Sequence, residues 1–220
     1  MPHLIEAHLH PTQYDQFWPP RPTGTAELPS LRRLFIHIDY PSPDIYLFLR
    51  HITMSSLTNL TLNLECNAFI RRDDLQVIPP FPNLTSLAVI GGSKEPDERY
   101  SWVIGLEFLL SVMPGLRSLR LESIKRWESA VDSLTCSPTP CPNLSILAIY
   151  SSDILVSHLE RLLESRGESS DYPIGHIVVR DCPSLQPEAT ASTLLRNSTT
   201  IGSHNPLSLP SNTNLVTDIS

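Results

Sequence analysis

The chain has 220 residues and a formal net charge of -7, and 40% of its residues are hydrophobic. That length suits one domain with a core of its own. The acidic balance, without a long basic run, speaks against nucleic acid or an anionic membrane as partner.

Taken from the N-terminus, MPHLIEAHLHP lacks a basic segment followed by an apolar one, so no signal peptide is expected. No apolar run reaches membrane-spanning length; the best, Trp102 to Met113, is broken by Gly105 and Glu107. The cysteines, Cys66, Cys136, Cys141 and Cys182, are scattered and form no disulfide framework. Together these features predict an intracellular protein of the cytoplasm or nucleus. Cys136 and Cys141 flank SPTP, but no matching Cys/His pair follows, so neither a disulfide nor a metal site is expected there.

A short phrase recurs: PHLIEAHLH, PSLRRLFIHI, SSLTNLTLNL, PNLTSLAVI, PGLRSLRL, PNLSILAIY and PIGHIVVR. Its anchors are Leu4, Leu31, Leu57, Leu84, Leu116, Leu144 and Ile174, spaced 27, 26, 27, 32, 28 and 30 residues apart. The L-x-x-L-x-L pattern alternates buried and exposed positions, as in a strand with one covered face. A segment that returns the chain one rung further along makes the strands parallel. The reading is α/β: a leucine-rich-repeat solenoid over residues 1–186, about seven repeats, with the parallel sheet concave and helices convex. Proline is abundant, 21 residues against 8 glycines, and much of it precedes the strands, where it blocks helix and favours extended backbone.

Between the strands, residues 11–27 carry four prolines and read as a loop. Helical patterns cover Asp44–Ile52, Ala68–Ile78, Ser101–Met113, Arg126–Leu134 and Asp153–Ser165. The last is the clearest, with Ser152 and Asp153 before it and Gly167 at its end. Residues 187–220 read as a short helix, Pro187 to Arg196, followed by a disordered tail rich in Ser, Thr and Asn. Sequons begin at Asn59, Asn83, Asn143 and Asn197; three fall inside the phrase, which favours chance over glycosylation.

The phrases P-N-L-x-x-L-x-L and the closing IVVRDCPSL, Ile177 to Leu185, resemble the leucine-rich-repeat region of F-box proteins, particularly the divergent fungal set. Cys182 falls near the slot where such repeats carry Asn or Cys to bond the turn backbone; elsewhere that slot holds Asp39, Gly92 or Ser152. The resemblance implies repeats that hold a substrate protein for a ubiquitin ligase, with the ligase recruited through an F-box. Met1 lies directly before the first phrase, so the F-box itself is expected to be absent from this chain. Ligase machinery is then a partner only where an F-box is supplied.

With the sheet in this register, the third, fifth and seventh positions of each phrase face the concave side. His8, His10 and His37 beside Glu6 offer a metal or pH-sensitive group against the plainer reading of a solvated strand face. Phe35, Ile90, Ile146 and Tyr150 put apolar and aromatic groups on that face, where partner anchors are common. The expected protein-binding residues are Phe35, His37, Ile90, Arg120, Ile146, Tyr150 and Arg180. No catalytic, cofactor-binding or metal residue is expected. Gly91-Gly92 lacks the Lys-Ser/Thr of a phosphate loop, and neither G-x-S-x-G nor H-E-x-x-H occurs. Asp73, Asp74, Glu95, Asp97 and Glu98 read as solvated, and Trp102 and Trp127 as packing residues. The sequence therefore predicts a non-catalytic protein-interaction module; the alternative is a structural or vestigial repeat protein with no ligase role.

Overall fold

In a computed structural model, residues 3–10, 26–38, 49, 51–64, 80–91, 104–124, 127–136, 139–167 and 170–185 are described. The anchor leucine of the phrase closes a tight turn. The N–H groups of Leu31, Leu57, Leu84, Leu116 and Leu144 donate to the carbonyls of Leu28, Met54, Phe81, Met113 and Cys141 at 3.0–3.2 Å. Pro29, Pro82, Pro114 and Pro142 occupy the second position of four of these turns, where a fixed φ near -65° is already the required one. The prolines before the strands are thus turn residues.

Each turn feeds a strand: β1 (Glu6–Leu9), β3 (Arg33–Ile38), β5 (Asn59–Leu64), β6 (Ser86–Gly91), β7 (Ser118–Glu122), β8 (Ile146–Tyr150) and β9 (His176–Arg180). These form a seven-stranded sheet in chain order, every neighbouring pair parallel. The register equates the same phrase position in each strand: Leu34, Leu60, Leu87, Leu119, Leu147 and Ile177 lie side by side. Gly91 at the end of β6 permits close approach, since a Cβ there would stand 2.5 Å from the Ser123 carbonyl oxygen. After β7, β8 and β9 the chain leaves through left-handed residues, Ser123, Ser151 and Asp181, with φ of 53°, 47° and 55°.

Side-chain and backbone bonds tie each turn to the one before. Thr58 and Thr85 hydroxyls donate to the Arg32 and Thr58 carbonyls at 3.1 and 3.2 Å, and Ser145 Oγ to the Arg117 carbonyl at 3.1 Å. Asn83 and Asn143, both sequon residues, donate to the Ser55 and Pro114 carbonyls at 2.7 and 3.1 Å. These asparagines tie neighbouring units together at the exposed turns.

Three helices follow strands β6, β7 and β8: α1 (Ile104–Ser111), α2 (Trp127–Thr135) and α3 (Val156–Arg166). Their buried residues, among them Leu110, Trp127, Val131, Leu134 and Leu162, share one core with the inward leucines of the sheet. Leu60, Leu87, Leu119 and Leu147 are each at most 1% exposed. Trp127 is a packing residue of that core, as its place at a helix start suggests.

Three readings from sequence need correction. Ala26–Glu27, within the expected loop, is a short strand β2, and Ile52–Thr53, at the end of an expected helix, is its parallel partner β4. Two-residue strands carry no alternation for a pattern to reveal. The third concerns α3, which starts at Val156 rather than Asp153, with Leu155 extended at φ -98°, ψ 160° as its N-cap. Ser152 cannot cap it because its hydroxyl is already used. It accepts from the Ile124 N–H at 3.0 Å and donates to the Tyr150 carbonyl at 2.7 Å. The Leu155 N–H is instead taken by His158 Nδ1 at 3.1 Å, one half of a capping box. The helical patterns at 68–78 and 187–196, the tail, and Trp102 lie outside the described residues.

The slot held by Ser152 recurs one unit on. Cys182, also two residues past its strand, donates to the Arg180 carbonyl at 3.3 Å and receives a backbone hydrogen bond from Ser152. Ser152 and Cys182 therefore do the same work in consecutive turns. Cys141 and Cys182 are free thiols. Cys141 donates to the carbonyls of Leu110 and Met113 at 3.1 and 3.4 Å, and burial pushes its thiol up to about 12. It stays protonated and packs as a small core residue.

Candidate functional site

One face of the sheet carries the leucines and the helices; among the described residues nothing covers the other. Its side chains stand in three columns, because parallel strands in matched register place like positions about 4.8 Å apart. The first column runs Glu6, Arg33, Asn59, Ser86, Ser118, Ile146, His176. The middle column runs His8, Phe35, Thr61, Ala88, Arg120, Ala148, Val178. The third runs His37, Asn63, Ile90, Glu122, Tyr150, Arg180.

At the β1–β3 end, polar groups satisfy one another. Glu6 binds His8 Nε2 at 2.8 Å and Arg33 Nε at 2.8 Å. The His8 hydrogen bond, with the nearby Arg33 charge, holds the Glu6 carboxyl below its ordinary value despite slight desolvation. His8 also stacks on Phe35, with ring centroids 5.4 Å apart. His10 meets His37 edge to face at 4.5 Å, and His37 Nδ1 pairs with Asn63 Nδ2 at 3.2 Å. Among the described residues no group of three or more His, Cys, Asp or Glu side chains is arranged to hold a metal ion.

At the β7–β9 end the composition changes. Arg120 lies over the Tyr150 ring, 4.8 Å from its centroid, and pairs with Glu122. Its Nε is buried and makes no hydrogen bond among the described residues. Ile146 is 37% exposed, one of few large apolar side chains so open. Small or short residues, Ala148 and Val178, lie between Ile146 and the Tyr150–Arg180 column. His176 and Arg180 at the edge strand are both exposed.

The seven residues singled out in the sequence all lie on this open face, in two groups. Arg120, Ile146, Tyr150 and Arg180 come together on β7, β8 and β9. Phe35 and His37 sit on β3, four strands from Tyr150 and Ile146, or about 19 Å at sheet spacing. Ile90, half-buried on β6, stands between them, opposite Glu122. His176 and Val178, which the strand pattern of HIVVR also puts on this face but which are not among the seven, complete the β8–β9 surface.

No protein-family model, no curated protein and no solved structure matches the chain. No helix among the described residues is long and apolar enough to cross a membrane.

Proposed function

We propose that this chain is a non-catalytic protein-binding module, a leucine-rich-repeat solenoid whose open sheet face is the concave binding surface. The observation that carries this reading is the column register, which puts Ile146 and Tyr150 at the two ends of one strand, with Arg120 and Arg180 on the flanking strands, on a face that no described element covers. An apolar group ringed by long polar side chains is what a protein interface requires at its centre. The repeated turn and the recurring phrase support the solenoid, since units of this kind bury their apolar side only by stacking. Substrate recognition in an F-box-type ubiquitin-ligase adaptor is the form of this function that the phrase resemblance favours. Contact with the ligase would then run through a supplied F-box and not through these strands.

The test is affinity purification from the native cell with the unaltered chain and with an Ile146→Asp/Tyr150→Ala variant. Both should give the same circular dichroism, because neither side chain belongs to the core. The expected result is loss of co-purifying proteins with the variant. An unchanged set of partners would contradict the assignment of the face.

A further inference from the structure

We infer that His10 and His37 form a two-histidine site for a divalent transition-metal ion such as Zn²⁺, bridging β1 to β3, with Asn63 holding the His37 ring. The site stands independently of the protein-binding reading above.

Geometry is the first support. β1 and β3 run parallel, with Leu9 opposite Ile36. The next residues along, His10 and His37, come level with one another, and their rings meet edge to face with centroids 4.5 Å apart. Two imidazoles that share one ion, each through a nitrogen about 2.0–2.1 Å from it, have centroids roughly 4.5–5 Å apart. The pair already stands at chelating separation, on strands whose register the sheet fixes, so little backbone order remains to be gained on binding.

The surroundings are the second support. Asn63, on β5, pairs with His37 Nδ1 at 3.2 Å. That contact engages Nδ1 and points to Nε2 as the ligand atom of His37. A metal-bound imidazole donates its second ring N–H to an oxygen, which fixes the ring. Asn63 supplies that oxygen by turning its amide over, since the two ends of the amide are nearly the same in shape. Asn63 is thus a positioning residue. His8 stays outside the set, because its Nε2 lies 2.8 Å from Glu6 and its ring stacks on Phe35. No third His, Cys, Asp or Glu joins the pair among the described residues, so water completes the coordination. Two imidazoles with water suit Zn²⁺, Ni²⁺ or Cu²⁺, whereas Mg²⁺ and Ca²⁺ prefer oxygen ligands. β1 is an edge strand with β3 as its neighbour in the sheet. An ion shared by the two ties the first unit to the stack.

The experiment is calorimetric titration of Zn²⁺ into the full chain, with Mg²⁺ as the control ion. Binding of one Zn²⁺ per chain is expected, and none of Mg²⁺. His10→Ala and His37→Ala should each weaken it roughly tenfold or more, while His8→Ala leaves it unchanged. Asn63→Ala should also weaken it roughly tenfold, and Asn63→Asp, which restores an oxygen acceptor, should recover it. Zn²⁺ should raise the Tm of the unaltered chain and not that of His10→Ala. Without metal, the two should unfold alike, because His10 is exposed. No Zn²⁺ binding, binding that survives either His10→Ala or His37→Ala, or binding lost with His8→Ala overturns the site. Equal affinity in Asn63→Ala and the unaltered chain overturns the role of Asn63.

Discussion

The two ends of the sheet are built from one phrase and finish differently. On β1 and β3 the open face is occupied by its own pairs, Glu6 with His8 and Arg33, and His37 with Asn63. On β7 to β9 an isoleucine and an arginine stand without such company. The stacking of units needs only the inward leucines and the turn. What stands outward is free to vary, and the two ends use that freedom differently.

The comparison is broken most forcefully in the core. Leu119, in a central strand and fully buried, should lose about 2–5 kcal/mol on truncation to alanine. Leu9, a half-buried leucine on edge strand β1, should lose about 1 kcal/mol. Equal losses in urea titration would mean that the first unit is as firmly packed as the middle ones.

Arg166 comes next. Only 2% exposed, it donates to the carbonyls of Tyr172, Leu134, Pro140 and Cys141, four backbone acceptors drawn from the loop after α3, from α2 and from the segment leading into the turn before β8. Burial lowers its pKa from the ordinary arginine value, but a guanidinium with these acceptors stays charged. Arg166→Met keeps most of the volume and strands the carbonyls, so a loss of about 3 kcal/mol is expected. A variant as stable as the parent would show that water satisfies them.

Ser152 gives a smaller and more specific effect. Ser152→Ala leaves the buried Ile124 N–H without an acceptor and should cost about 1–3 kcal/mol. Ser152→Cys should recover much of it, since Cys182 holds the same slot in the next turn. If alanine and cysteine are equally tolerated, the turn-to-turn bond has no energetic role.

The smallest effect belongs to Glu6. Its folded pKa is lowered, so its pair contributes above the unfolded carboxylate value and is lost as pH falls through the folded one. The pair is exposed, and Glu6→Gln should cost less than about 1 kcal/mol at neutral pH. The difference from the parent should vanish well below the carboxylate range. A difference that persists there would assign the stability to packing on Phe35 instead.

Strand positions and register were legible because each phrase repeats a buried-exposed alternation, and the column of leucines follows from it directly. Helix positions were legible to within a few residues from their apolar spacing. The start of α3 was not, since Ser152 and Asp153 read as caps and nothing local reveals that a hydroxyl is committed to a neighbouring turn. Arg166 was not legible either, because a charged residue at a helix end reads as solvated and its acceptors come from distant backbone. The seven residues singled out in the sequence share one face of the sheet. Their division into two groups needed the strand order, which converts sequence separation into about 19 Å between Phe35 and Tyr150.

The column register is the claim on which the site rests, and backbone contacts in solution test it most directly. Nuclear Overhauser spectra of a deuterated, methyl-labelled sample should link Leu87, Leu119 and Leu147 across neighbouring strands in parallel register, with Ile146 showing no contact to the leucine core. Antiparallel contacts between those strands, or Ile146 methyls inside the core, would contradict it.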